Sequence, residues 1–359
     1  MKFSVIIPVY NVEKYLEKCL LSVLNQAFQD FQIIVVIDGA TDGSESIARR
    51  IKMEHPQADM QIIVQKNKGL GGARNTGMEY VAGDYWLFID SDDYLAENAL
   101  EVLDRVTKDD KYDMIYFNSY VVNEQGKVLQ LLNVQPPKKK DTCLTESPEL
   151  LQTYPAAWNK LYRRNLFEDG IRYQEKKWFE DLDVALKFYL KAERILFIDD
   201  VLYYYVQRKG SIMSDGNVVR NMEMLDIFDS ICDYYKEHNA YEKYRNEIEY
   251  LAIWKILILV MGRINMANAN SELQGKLVDY MEEHFPDYRS NPYLVQMDAE
   301  DKERVMLAAD RKFDHLYKKY ARKDEFKKVM KFLIPGWMAR FYYSTVSYTH
   351  LTLPTTPYV

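Results

Sequence analysis

The chain has 359 residues, 48% of them hydrophobic and 28% charged, with a formal net charge of −7. That is enough for one large domain with an extension or for two ordinary domains, and the composition is that of a globular chain. The acidic balance argues against nucleic acid as a partner, because phosphate-backbone binding calls for a basic excess.

No uncharged apolar run is long enough for a transmembrane helix. Met1-Lys2 leads straight into a strand-like run, so no secretory signal is expected. The three cysteines, Cys19, Cys143 and Cys232, are far apart and odd in number, which suits a reducing compartment better than a disulfide framework. The expected location is cytoplasmic.

Along the first hundred or so residues, short β-branched runs alternate with helical periodicity, the pattern of an α/β domain with a largely parallel sheet. Phe3 to Val9 reads as the first strand. Val12, Leu16, Leu20, Val23 and Leu24 follow at helical spacing and predict a helix lying on the sheet. Phe31 to Ile37 is a nearly continuous apolar strand, as expected where both faces are covered. Asp42 with Glu45 predicts a capping box at the next helix start. Gln61 to Gln65 is a third strand, and Asn67 to Asn75 is a glycine-rich turn entering a helix. Asp84 to Ile89 is a fourth strand that delivers Asp90, Asp92 and Asp93 to its carboxyl end, where ligands collect in open α/β sheets.

Beyond residue 110 the pattern loosens: a strand at Met114 to Tyr116, a hairpin-like stretch to Leu132, and a polar loop with Pro136-Pro137 and three lysines. Order resumes from Trp158 to Tyr162 and again from Trp178 to Asp181, followed by a helix and a strand at Val201 to Val206. From about Gly216 the chain is dominated by long helical patterns, Leu251 to Ile264 among them. After Arg340 there is no charged residue, and 341–359 resembles a translated adaptor or vector tail, expected to be non-native or disordered. The expected domains are 1–215, 216–340 and that tail.

Chemistry concentrates in Phe88-Ile89-Asp90-Ser91-Asp92-Asp93. Carboxylates held this close repel one another, and a hard divalent cation bound to carboxylate and phosphate oxygens relieves the repulsion. The same residues also read as a cap and turn before a helix near Ala96, and composition leaves both readings open. Asp38 before Gly39 is equally readable as an Asx turn, Pro8 as a strand end, and Glu180-Asp181 as acids favoured by a helix dipole.

Five segments in order resemble family 2 glycosyltransferases of the bacterial polysaccharide type: Ser4 to Asn11, Val36 to Ser44, Asn67 to Asn75, Asp90 to Asp93, and Glu180-Asp181. The resemblance spans about residues 1–215. It implies the GT-A fold, a Rossmann-like, mostly parallel sheet flanked by helices, here with a C-terminal helical subdomain. It further implies an inverting transfer of one sugar from a nucleoside diphosphate donor, UDP-linked, to a saccharide or polyprenyl-linked acceptor in cell-surface polysaccharide synthesis.

In that resemblance Pro8, Tyr10 and Asp38 hold the base. Ile37 and Ala40 depart from the asparagine and serine common there. Arg74 is placed near the diphosphate, and Asp90 and Ser91 near the donor. Asp92, with Asp90, holds Mn2+ or Mg2+, while Asp93 is left open. Asp181 is the catalytic base, with Glu180 as runner-up, since adjacent helical positions diverge in direction. Trp158, Asn159, Lys160 and Trp178 fall on the acceptor side. Arg208 belongs to a basic loop over the diphosphate, with Gly210 as hinge. Lys327, Lys328, Lys331 and Arg340, interleaved with apolar residues, suggest either peripheral membrane contact or a helix packed on the core. Two rival functions stand beside this one: a sugar-phosphate nucleotidyltransferase, and a non-catalytic donor-binding scaffold. The first normally carries a basic glycine-rich loop after its first strand, where this chain has Asn11-Val12-Glu13-Lys14.

Overall fold

The computed structural model describes residues 1–134, 136–208, 218–267 and 270–320. The basic segment around Lys327 to Arg340, the hinge position Gly210 and the tail from 341 lie outside the described residues. The chain divides into two compact units. The first comprises Met1–Ser147 and Pro155–Ser214, and the second Pro148–Tyr154 with the chain from Asp215 onward.

The first unit is built on one sheet whose strands and helices run β1 (Phe3–Val9), α1 (Leu16–Leu24), β2 (Phe31–Asp38), α2 (Ser44–Glu54), β3 (Met60–Gln65), α3 (Gly69–Met78), β4 (Tyr85–Phe88), β5 (Tyr94–Leu95), α4 (Ala99–Val106), β6 (Met114–Asn123), β7 (Val128–Leu132), β8 (Asp141–Thr142), β9 (Lys160–Arg163), α5 (Glu180–Lys191) and β10 (Ile195–Gln207). The main path through the sheet is β3-β2-β1-β4-β9-β6-β10-β5, with β7 beside β6 and β8 beside β10. β3, β2, β1 and β4 are parallel, while β9 runs antiparallel between β4 and β6. This is the GT-A arrangement, a mostly parallel mixed sheet flanked by helices.

Burial explains the strand sequences. All eight residues of β2 and all seven of β1 are buried, so both strands read as nearly continuous apolar runs, broken only by Ser4, Gln32 and the closing Asp38. Each isoleucine or valine there contributes about 1.5–3 kcal/mol relative to exposure. Pro8 sits inside a central strand without losing a ladder bond. Ile89 N–H donates to Ile6 O at 3.0 Å, so by alternation Pro8 turns its missing N–H toward β4, which has already ended.

One local expectation is corrected. At α2 the capping box does not form. Asp42 accepts from Ser44 N–H and from Glu13 N–H, and Glu13 Oε2 accepts from Gly43 N–H at 2.7 Å. A residue from the β1–α1 loop thus takes the place expected of Glu45, which instead pairs with Arg49. In the second unit the stretch expected to be helical, Leu251 to Ile264, is helical without a break: α7 (Tyr241–Ala252) runs on through a π-helical stretch Ile253–Val260 into α8 (Met261–Met266). That unit also contains α6 (Glu223–Glu237), α9 (Ser271–His284) and α10 (Ala299–Ala309), and is helical throughout its described residues. No helix among the described residues is long and apolar enough to cross a membrane.

Candidate active site

Strand direction gathers the candidate residues at one edge. β1, β2, β3 and β4 all end there, with Tyr10 following β1, Asp38 closing β2 and Asp90 following β4. β6 and β10 run the same way, so Arg208, just after β10, arrives at that edge. β9 runs oppositely, so Asn159 and Lys160 lie at its start on the same side.

The acidic turn closes with Asp93 N–H donating to Asp90 O at 2.9 Å. Its three carboxylates have three different environments. Asp93 is 1% exposed and takes the Tyr203 hydroxyl at 2.7 Å and the Val206 N–H at 2.7 Å, which pins β10 to the turn. Burial, with Asp92 and Asp90 nearby, pushes its pKa well up. Asp92 accepts from Arg208 Nε at 2.5 Å, and that guanidinium also lies over the Tyr15 ring. Asp90 accepts from Arg74 at 2.9 Å; burial raises its pKa while Arg74 pulls it back. Ser91 is buried at the head of the turn.

Arg74 comes from α3, a helix brought close to the segment before α5 by Gly71. A Cβ there would stand 2.5 Å from Gln174 O. The buried guanidinium bridges two acids, donating to Glu180 at 2.7 Å and to Asp90 at 2.9 Å, and lies 5.3 Å from the centre of the Tyr173 ring. Both terminal nitrogens therefore serve carboxylates in this structure rather than facing solvent.

Glu180 and Asp181 open α5, just after Phe179, which holds φ 64° and ψ 21°, a left-handed conformation costly for an aromatic residue. The two acids differ sharply. Glu180 is buried and held by Arg74, and burial with Asp181 beside it raises its pKa to about 7 against the pull of Arg74. Asp181 is partly exposed, accepts only the Leu182 N–H at 2.9 Å and makes no ion pair among the described residues.

The other candidates divide between surface and interior. Tyr10 is exposed, whereas Asp38 is buried. Trp158 is stacked on Tyr203 and Tyr205, with ring centres 4.6 and 5.5 Å apart. Asn159 and Lys160 are wholly buried. Lys160 donates to Ala156 O and to Asn159 Oδ1, and burial pushes its pKa well down against the pull of Asp181. Trp178 is buried too. All four side chains present little or no surface to solvent. Tyr203, Gln65 and Thr76, which support the acidic turn and Asp38, carry no signal in the sequence beyond ordinary strand and helix residues.

Among the described residues no three His, Cys, Asp or Glu side chains form a metal cage. The carboxylates that could hold a hard cation are Asp92 and Asp90, two positions apart, each now paired with a guanidinium, Arg208 and Arg74, with which the cation would have to compete.

The glycosyl transferase family 2 model matches residues 4–171. Glycosyltransferase GlyG of Streptococcus pneumoniae serotype 4 is 31% identical over 225 residues, covering 58% of this chain and 72% of that protein. Glycosyltransferase GlyA of the same organism is 35% identical over 221 residues, 59% of this chain but only 31% of its own length. Among solved structures, residues 1–349 of S. aureus TarS in complex with UDP-GlcNAc share the fold with a TM-score of 0.67 at 24% identity, over 90% of this chain and 92% of that one. The chain belongs to glycosyl transferase family 2 and is a glycosyltransferase.

Proposed function

We propose that the chain transfers one sugar, with inversion, from a UDP-linked donor to a saccharide or polyprenyl-linked saccharide acceptor in cell-surface polysaccharide synthesis. The observation that carries this reading is the division of labour among the acids. Glu180 is locked by Arg74, whereas Asp181 beside it is partly exposed and without an ion pair among the described residues. Asp181 is then the base that takes the acceptor hydroxyl's proton, and direct displacement at the anomeric carbon inverts it. Glu180 holds Arg74 and through it Asp90, so it positions rather than reacts.

Asp92 and Asp90 would hold Mn2+ or Mg2+, which when bound supplies Lewis-acid stabilisation to the departing diphosphate. Arg208, paired with Asp92 in this structure, would exchange that carboxylate for a phosphate oxygen. Tyr10 and Asp38 would receive the base. The donor class draws support from a structural relative whose complexes contain UDP and UDP-GlcNAc. A more distant one, from Pyrobaculum calidifontis, was solved with GDP-Man and Mn2+ at a TM-score of 0.50 and 17% identity.

The test is calorimetric titration of UDP with and without Mn2+, on wild type and on Asp92→Asn. Metal-dependent binding lost in the variant supports the donor site. Binding indifferent to metal and to the substitution refutes it.

A further inference from the structure

Asp38 closes β2 with its carboxylate nearly withdrawn from water, 2% exposed. Both hydrogen bonds it accepts among the described residues fall on one oxygen. Oδ1 takes the Gln65 side-chain N–H at 2.7 Å and the Lys68 backbone N–H at 2.8 Å, and Oδ2 takes neither. A carboxylate has lone pairs on both oxygens, so the arrangement leaves one acceptor in reserve.

Sheet register puts Gln65 in place, because its Cα is the partner of Asp38 across the parallel β2–β3 pair. The Gln65 amide cannot turn over freely. Thr76 on α3 bonds Gln65 Oε1 at 2.6 Å. Since the carboxylate only accepts, the amide must show its NH2 to Asp38 and its carbonyl to Thr76, whose hydroxyl must donate. A reversed amide would set a carbonyl oxygen against a carboxylate. Thr76, Gln65 and Lys68 together fix the rotation of the Asp38 carboxylate and so the direction in which Oδ2 can accept.

We infer that Gln65, locked by Thr76, is a positioning residue that makes Asp38 selective for a nucleobase presenting an imino N–H, the uracil of a uridine nucleotide, over one presenting a bare ring nitrogen, as cytosine does. The inference deepens the donor assignment proposed above and rests on it. A fixed, desolvated acceptor rejects a base that offers it a lone pair, because Oδ2 is then left without a donor and faces that lone pair. A carboxylate free to rotate can turn toward the exocyclic amino group of cytosine and loses that discrimination. Neither Gln65 nor Thr76 needs to touch the nucleotide for this to hold.

The test is titration of UDP and of CDP, both with Mn2+, into wild type, Gln65→Met, Thr76→Val and Thr76→Ser, with thermal unfolding to verify that each variant folds. Methionine matches glutamine in length without its donor, and valine matches threonine in shape without its hydroxyl. The expected wild-type preference for UDP is about tenfold or more. It should fall to within about threefold in Gln65→Met and Thr76→Val as the charged hydrogen bond loses its alignment, and should return in Thr76→Ser. If Thr76→Val does not fold, Gln65→Met decides. A wild type that binds UDP and CDP equally refutes the uridine reading and this inference with it. A selective wild type whose preference is unchanged in the variants overturns the positioning role and leaves the uridine reading standing. Equal loss of both nucleotides at constant ratio marks a structural role only, and overturns it as well.

Discussion

Replacing Arg74 by methionine probes the site where it is most constrained. The Arg74 side chain is 3% exposed and holds Glu180 at 2.7 Å and Asp90 at 2.9 Å. Methionine keeps much of the apolar stem beside Tyr173 and removes the charge. Breaking a buried ion pair by removing one partner costs about 3–5 kcal/mol, chiefly because the remaining charge is left without compensation. Here two carboxylates share the lost cation.

The cost must also depend on pH. Glu180 already titrates at about 7 rather than at the ordinary 4.5, through burial that Arg74 only partly offsets. A carboxyl whose folded pKa lies above its unfolded value binds its proton more tightly when folded. Its contribution to stability is therefore full below the unfolded value and is lost as pH rises through the folded one. In wild type that loss runs from 4.5 to about 7. Without Arg74 the folded value moves higher and the loss continues past 7, at about 1.4 kcal/mol per pH unit. The deficit of Arg74→Met should thus be larger at pH 8 than at pH 5.5 by about 1–2 kcal/mol. Urea unfolding of both proteins at the two pH values, compared at equal m-value, reads it directly. A deficit under about 1 kcal/mol at pH 8, or one indifferent to pH, would refute the view of Arg74 as the shared cation of two buried acids.

Further substitutions separate the remaining roles. Asp181→Asn should lower kcat by about 10²–10⁴ while UDP binding stays as in wild type, and a smaller loss would move the base elsewhere. Arg208→Ala removes the guanidinium that neutralises Asp92, so Mn2+ without nucleotide should bind several-fold more tightly by electron paramagnetic resonance; weaker binding would mean that the arginine does not compete for that carboxylate. Tyr203→Phe withdraws one of the two donors from buried Asp93 and should cost about 1–3 kcal/mol, seen as a lower Tm, with no change expected if Asp93 were solvated instead. Gly71→Ala drives a methyl to 2.5 Å from Gln174 O and should destabilise by about 1–3 kcal/mol, whereas a neutral result would show that α3 can shift without cost.

β1, β2 and β4 are legible because burial on both faces leaves nearly continuous apolar runs, whereas β3, only partly buried, is legible from the β-branched residues Ile62, Ile63 and Val64 between its two glutamines. β10 is legible only in its second half. Asp199 and Asp200 interrupt its pattern, and its register against β6 shifts between Phe197 and Val201, so periodicity fails where the strand bulges. β9 was readable as ordered but not as a strand, since its four residues are too few to display a period. The left-handed Phe179 leaves no mark in the sequence at all, because an aromatic residue there contradicts every local preference.

The acids show where local reading ends. Asp92 and Asp93 are chemically identical neighbours, and any argument from residue type treats them alike. The fold separates them. Asp93 is consumed by Tyr203 and Val206, 110 and 113 residues away, and becomes a structural pin, while Asp92 faces Arg208, 116 residues away, a cation on the segment just past β10. Glu180 and Asp181 are separated in the same way by Arg74, 106 residues before Glu180. Spacing can therefore announce that acids converge at a strand end. Which of them stays available for chemistry is decided by partners that only the register of the sheet brings within reach, and that register is the physical content the sequence alone did not expose.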